Sequence, residues 1–145
     1  MNADKIKKIL FFVAGIALIT FFSAFLISKN LKDPKLFGPE ITFEKEMQSF
    51  GDVPQGPKVE GTFIFTNTGK NPLEIKSVTT SCGCTGAVVD EKKVFEPGEQ
   101  GRIKFTFNTE GRLGHNEKVI TVLSNDVKHP SKEVKFDCNI LTPSK

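Results

Sequence analysis

Hydrophobic positions along the chain follow two different rhythms, with a change near residue 30. From Ile9 to Ser28, ILFFVAGIALITFFSAFLIS, no side chain is charged and apolar residues cover every face of a helix. A stretch of that length rises about 30 Å as an α-helix, the thickness of a bilayer's hydrocarbon core. Its Ile, Leu, Phe and Val residues each favour insertion by roughly 0.3–0.6 kcal/mol near the bilayer centre. No polar face is left for a soluble amphipathic helix. The pattern predicts one N-terminal transmembrane helix over 9–28, behind a short cytoplasmic head of residues 1–8. A cleaved secretory signal is the alternative, but its apolar region is usually shorter and ends in small residues, whereas FFSAF and LISKN place Phe or Leu at such positions. No cysteine precedes Cys82, so the lipid-accepting pattern of a lipoprotein is absent.

Residues 29–39, KNLKDPKLFGP, form a polar linker with two prolines and a glycine. Beyond it the period drops to two. Val59, Gly61, Phe63 and Phe65 share one strand face, as do Ile103, Phe105 and Phe107, and Val134, Phe136, Cys138 and Ile140. Residues 118–125 carry apolar side chains on both faces, which predicts a central or doubly covered strand. Further strands are expected at Ile41–Phe43, Leu73–Val78 and Ala87–Val89. Turn residues separate these runs at NTGKNP, EPGEQG, EGRLGHN and NDVKHP. The prediction for 40–145 is an all-β domain, an immunoglobulin-like antiparallel β-sandwich of about seven strands. Nine phenylalanines outside the apolar segment supply its core without a phenol or indole to satisfy.

Charge changes the picture twice. The formal charge of +3 arises wholly within residues 1–34, where five lysines face Asp4 and Asp33; the other 111 residues balance, 15 basic against 15 acidic. A nucleic-acid partner, which needs a cationic footprint, is therefore not expected. Lys5, Lys7 and Lys8 make the leading flank of the apolar segment slightly more positive than Lys29 and Lys32 make the trailing one. That bias places the C-terminal domain on the periplasmic, extracytoplasmic side of the cytoplasmic membrane.

The candidate chemistry is Cys82-Gly83-Cys84. Residues i and i+2 of an extended strand lie about 6.5–7 Å apart at Cα, the margin for a disulfide. A bend at Gly83 allows either a disulfide or a two-thiolate clamp for Cu(I). Equally, both cysteines serve as small buried hydrophobes, with Gly83 permitting a bulge. Zinc has only His115, His129 and Cys138 to complete a set, and both histidines sit beside turn residues. Cys138, alternating with Phe136 and Ile140, reads as a core thiol. Asn67-Thr68-Gly69 reads as a hairpin turn. No Ser-His-Asp order, phosphate loop or placed carboxylate pair emerges, so no enzyme is expected and no cofactor beyond that copper possibility.

The order SFGDVPQG, FIFTNTG, LEIKSV, SCGCT, PGEQG, TEGRLG and VLSND over about residues 43–140 resembles the bacterial family called domain of unknown function 1573. Its members look like immunoglobulin-like modules of cilia-associated proteins and of the major sperm protein. The signature positions are Phe50, Gly51, Asn67, Gly69, Cys82, Gly83, Cys84, Pro97, Gly98 and Gly114. The resemblance implies an exported, envelope-associated β-sandwich, with no established activity to transfer. Many relatives carry a secretory or lipoprotein signal in place of this long apolar segment, and tend to have a small residue where Cys138 stands. The expected function is a membrane-anchored binding or scaffolding module with an envelope protein or glycan partner. A thiol-redox or Cu(I) site at Cys82 and Cys84 is the alternative.

Overall fold

The computed structural model describes residues 3–30, 37–90 and 92–142, with side-chain environments in the helix described for Lys7 and residues 11–25. The chain divides into two compact units, Met1–Phe37 and Gly38–Lys145.

The first unit holds α1, Ala3–Asn30, a helix of 28 residues. It begins at Ala3, so residues 3–8 of the expected head are helical. The described apolar side chains are outward, Phe11 at 81% exposure and Phe21 at 78%. Two polar groups in the run are satisfied internally: Thr20 Oγ1 donates to the Ala17 carbonyl and Ser23 Oγ to that of Thr20, each at 3.0 Å. The expected helix is thus present. Among the described residues, however, no helix is long and apolar enough to cross a membrane. Most of the expected linker, residues 31–36, lies outside the described residues. Its end does not behave as linker: Gly38 and Pro39 are buried, and Lys70 N donates to Gly38 O at 3.1 Å.

Among the described residues the second unit contains nine strands: β1 (Ile41–Phe43), β2 (Met47–Pro54), β3 (Lys58–Asn67), β4 (Leu73–Thr80), β5 (Thr85–Val89), β6 (Val94–Phe95), β7 (Gln100–Asn108), β8 (Gly114–Ser124) and β9 (Ser131–Leu141). They form two sheets, ordered β1-β3-β7-β5 and β2-β9-β8-β4-β6. Alternation decides the layers: Ile103, Phe105 and Phe107 of β7 are buried with Lys104 and Thr106 outward, and Val134, Phe136, Cys138 and Ile140 of β9 meet them from the other sheet. Phe105 stacks on Phe136 across the gap with centroids 4.4 Å apart, and on Phe63 at 5.3 Å. Each buried Phe of this kind stabilises the sandwich by roughly 1.5–3 kcal/mol.

Three expectations need correction. The strands number nine, because β2 and β6 went unread. β2 pairs with β9 in parallel, so the sandwich is not wholly antiparallel. Asn67-Thr68-Gly69 is not a hairpin turn, since β3 and β4 belong to different sheets; it carries the chain from one layer to the other. Strand β8 is central as expected, but its second face is only half covered, with Leu123 at 40% exposure.

Candidate functional site

Strands β4 and β5 leave one tight turn, residues 81–84, and enter different sheets. Thr85 N donates to Cys82 O at 3.3 Å, closing a β-turn with Gly83 and Cys84 at its centre. Thr80 Oγ1 lies within bonding reach of Cys82 O at 3.0 Å and Thr85 O at 2.9 Å. Ser81 N reaches Val119 O at 3.0 Å, and Asn108 N reaches Cys84 O at 3.0 Å. The turn is therefore held from β7 and β8. It brings the cysteine Cα atoms to 5.3 Å, and Cys82 and Cys84 form a disulfide. That distance falls well inside the range a disulfide accepts, where a straight strand reaches only its margin.

Of the readings the sequence left open, the structure has the disulfide. Bonded sulfurs present no thiolate, so a Cu(I) clamp requires prior reduction. Both cysteines are half-buried; Cys84 packs against the hydrophobic core, while Cys82 is not part of that contact. Gly83 is exposed, has no positive φ, and a Cβ there would meet nothing within 4 Å. Neither crowding nor backbone angle requires glycine at this position. The side chain facing both sulfurs is Thr85, 6% exposed, its Oγ1 3.5 Å from Cys82 Sγ and 3.9 Å from Cys84 Sγ. Sequence reading passed over Thr85, because an isolated Thr beside a cysteine carries no pattern.

Other candidate ligands do not converge. Cys138 is a free, buried thiol whose pKa is raised by burial and by Asp137, against Lys118. His115 is the second residue of β8 and His129 follows its far end, so the strand holds them roughly 30 Å apart at its rise per residue. Among the described residues, no group of three or more His, Cys, Asp or Glu stands ready for a metal.

The remaining signature residues build the fold. Asn67 is fully buried and its amide is saturated: Nδ2 donates to Asn71 O at 2.9 Å and Phe95 O at 2.8 Å, while Oδ1 accepts from Gly69 N at 3.0 Å and Glu40 N at 3.5 Å. A Cβ on Gly69 would collide with the Gly38–Glu40 backbone. Pro97 and Gly98, the latter at φ +82°, make a type II turn closed by Glu99 N to Glu96 O at 2.9 Å. Gly51, at φ +62°, sits where the β2–β9 register shifts, and Gly114, at φ +69°, opens β8. Phe50 meets Phe105 and Phe136 edge-on at 6.1 Å.

A family model described as protein of unknown function DUF1573 matches residues 41–140. The chain belongs to that family. No curated protein sequence matches it. The chain shares its fold with a protein of unknown function from Porphyromonas gingivalis W83, at TM-score 0.62 and 21% identity, over 70% of this chain and 46% of that one. The secreted serine protease VesC of Vibrio cholerae gives TM-score 0.57 at 15% identity, over 79% of this chain and 25% of that one. PapD-like domain 7 of human CEP192 gives 0.58 at 11% identity, over 78% and 92%. Thus the chain spans under half of the first two proteins, and at these identities the likeness is one of fold, an immunoglobulin-like sandwich.

Proposed function

We propose that this DUF1573 protein is a membrane-tethered, non-enzymatic binding module that presents the free edge of β5 to an extended segment of an envelope protein. The observation that carries the binding half is the edge itself. Asp90 N bonds Arg102 O and Asn108 N bonds Cys84 O, so residues 84, 86, 88 and 90 exchange ladder bonds with β7. Ala87 and Val89 consequently turn their N–H and C=O groups away from β7. Among the described residues no strand follows β5 in its sheet. An unpaired edge of this kind templates strand addition.

Beside it runs a groove of about 240 Å³ between β4 and β5, lined by Ile75, Lys76, Val78, Val88 and Lys93 among others. Val88 is 62% exposed. Apolar contacts with two lysines favour an incoming strand that alternates apolar and acidic residues. A backbone edge recognises a backbone, which favours a protein over a glycan. The tether reading is supported by the uncharged run Ile9–Ser28, by the outward Phe and Ile side chains of α1, and by the two hydroxyls bonded back onto the helix, as a lipid environment requires.

A photo-crosslinker in place of Val88, in cells producing the full chain, tests the edge. The expected product is one defined adduct to an extended, acidic-apolar segment, lost on Ala87→Pro, which removes an outward N–H without touching the β7 ladder. Uncrosslinked chain alone, or an adduct indifferent to Ala87→Pro, would count against the edge.

A further inference from the structure

We propose that the Cys82–Cys84 disulfide is an exchange site for thiolates, with Thr85 stabilising the sulfur that leaves. This goes beyond the binding reading and does not depend on it. Three observations converge. The disulfide lies on an exposed turn whose central residue, Gly83, leaves open space above it. Its two sulfurs are unequal, Cys84 against the core and Cys82 away from it. A buried hydroxyl, Thr85 Oγ1, stands beside both, with Cys82 Sγ and Cys84 Sγ as its contacts.

The third point decides the chemistry. A neutral disulfide sulfur is a weak acceptor, so the buried Thr85 hydroxyl gains little while the bond is intact. A thiolate in the same place accepts a charge-assisted hydrogen bond. Thr85 therefore favours the anion over the disulfide, which speeds the departure of the leaving sulfur. An incoming thiolate attacks Cys82 Sγ; the Sγ–Sγ bond breaks and its electron pair leaves on Cys84 Sγ, giving a mixed disulfide at Cys82 and a Cys84 thiolate bonded to Thr85 Oγ1. The Cys84 thiolate then re-forms the ring by expelling the incoming group. Alternatively, a second thiolate attacks the incoming sulfur, carries it off as a new disulfide, and leaves Cys82 as the second thiolate. That route is a two-electron reduction of this protein matched by oxidation of two thiols. The substrate class is a thiolate, from a small molecule or from a protein cysteine. Thr85 is a positioning residue, acting through sulfur.

The test uses the full chain in detergent, exposed to reduced glutathione or, at equal thiol concentration, to an unstructured peptide with one cysteine. Intact mass after alkylation reports bond opening, peptide mapping locates the adduct, and circular dichroism reports the fold. The expected result is opening while the sandwich stays folded, with the adduct on Cys82. Opening should be about three- to tenfold slower in Thr85→Val and restored in Thr85→Ser. Faster opening by the peptide assigns the site to protein thiols; equal or faster opening by glutathione assigns it to small ones. Should Thr85→Val not fold, Gly83→Val, which has room for its side chain, carries the test by shielding the turn and slowing attack. Opening only at denaturant concentrations that unfold the sandwich, or wild-type rates in the folded variants, overturns the proposal.

Discussion

Asn67 has the full hydrogen-bond complement an amide offers, two donors and two acceptor bonds, in a site with no water access. Its replacement strands backbone groups of three segments at once. Asn67→Ala should therefore lower unfolding stability by about 3 kcal/mol or more, measured by urea denaturation. Asp126 plays a matching role in the β8–β9 loop, which it ties to β1 of the other sheet. Burial alone would raise its pKa, but the N–H groups of His129, Ile41 and Lys128 bond the carboxylate and hold it below the ordinary Asp value. A group depressed in the folded state contributes fully above its unfolded pKa, and that contribution is lost as pH falls through the folded one. Thermal stability should accordingly fall below about pH 4. Asp126→Asn should flatten that slope while reducing stability at neutral pH by about 1.5–3 kcal/mol. Of these two, Asn67 was legible as a signature position and Asp126 was not, because a turn Asp beside Asn reads as solvent-facing loop.

Alternation made most of the strands legible. It marked β3, β7 and β9 because one face of each is filled by Phe, Val and Ile. It failed for β2, whose residues Met47–Pro54 are half-buried or exposed throughout and whose register is broken at Gly51. Residues Val94–Phe95 are too few to show a period. The glycines inside strands were legible only as positions on a face. In the fold they are contact points: a Cβ on Gly101 would enter the rings of Phe65 and Phe95, and one on Gly61 those of Phe105 and Phe50. These rings are packed from both sheets and have little room to withdraw. Gly101→Ala should cost about 1–3 kcal/mol and lower the thermal midpoint without changing the circular dichroism signature of the fold. The disulfide was half legible: two cysteines at i and i+2 left bonded and unbonded readings open, and the choice lay in the turn, which depends on β7 and β8 holding residues 81–84.

At the scale of the whole molecule the chain joins a helix with an uncharged apolar run, Ile9–Ser28, to a sandwich of balanced charge. A neutral surface with an open β5 edge suits specific strand pairing better than steering by charge, and the lysines concentrated beside the helix suit a lipid surface better than nucleic acid. Under the proposed tether, the run Ile9–Ser28 stays in the bilayer and the sandwich stands outside. Single cysteines placed at Lys5 and at the exposed loop residue Glu110, labelled in intact spheroplasts with a membrane-impermeant maleimide, test this directly. Glu110→Cys should label at once, and Lys5→Cys only after permeabilisation, with the full-length chain in the membrane fraction. Labelling of Lys5→Cys alone in sealed spheroplasts, or recovery of a soluble chain lacking residues 1–28, would contradict the claim.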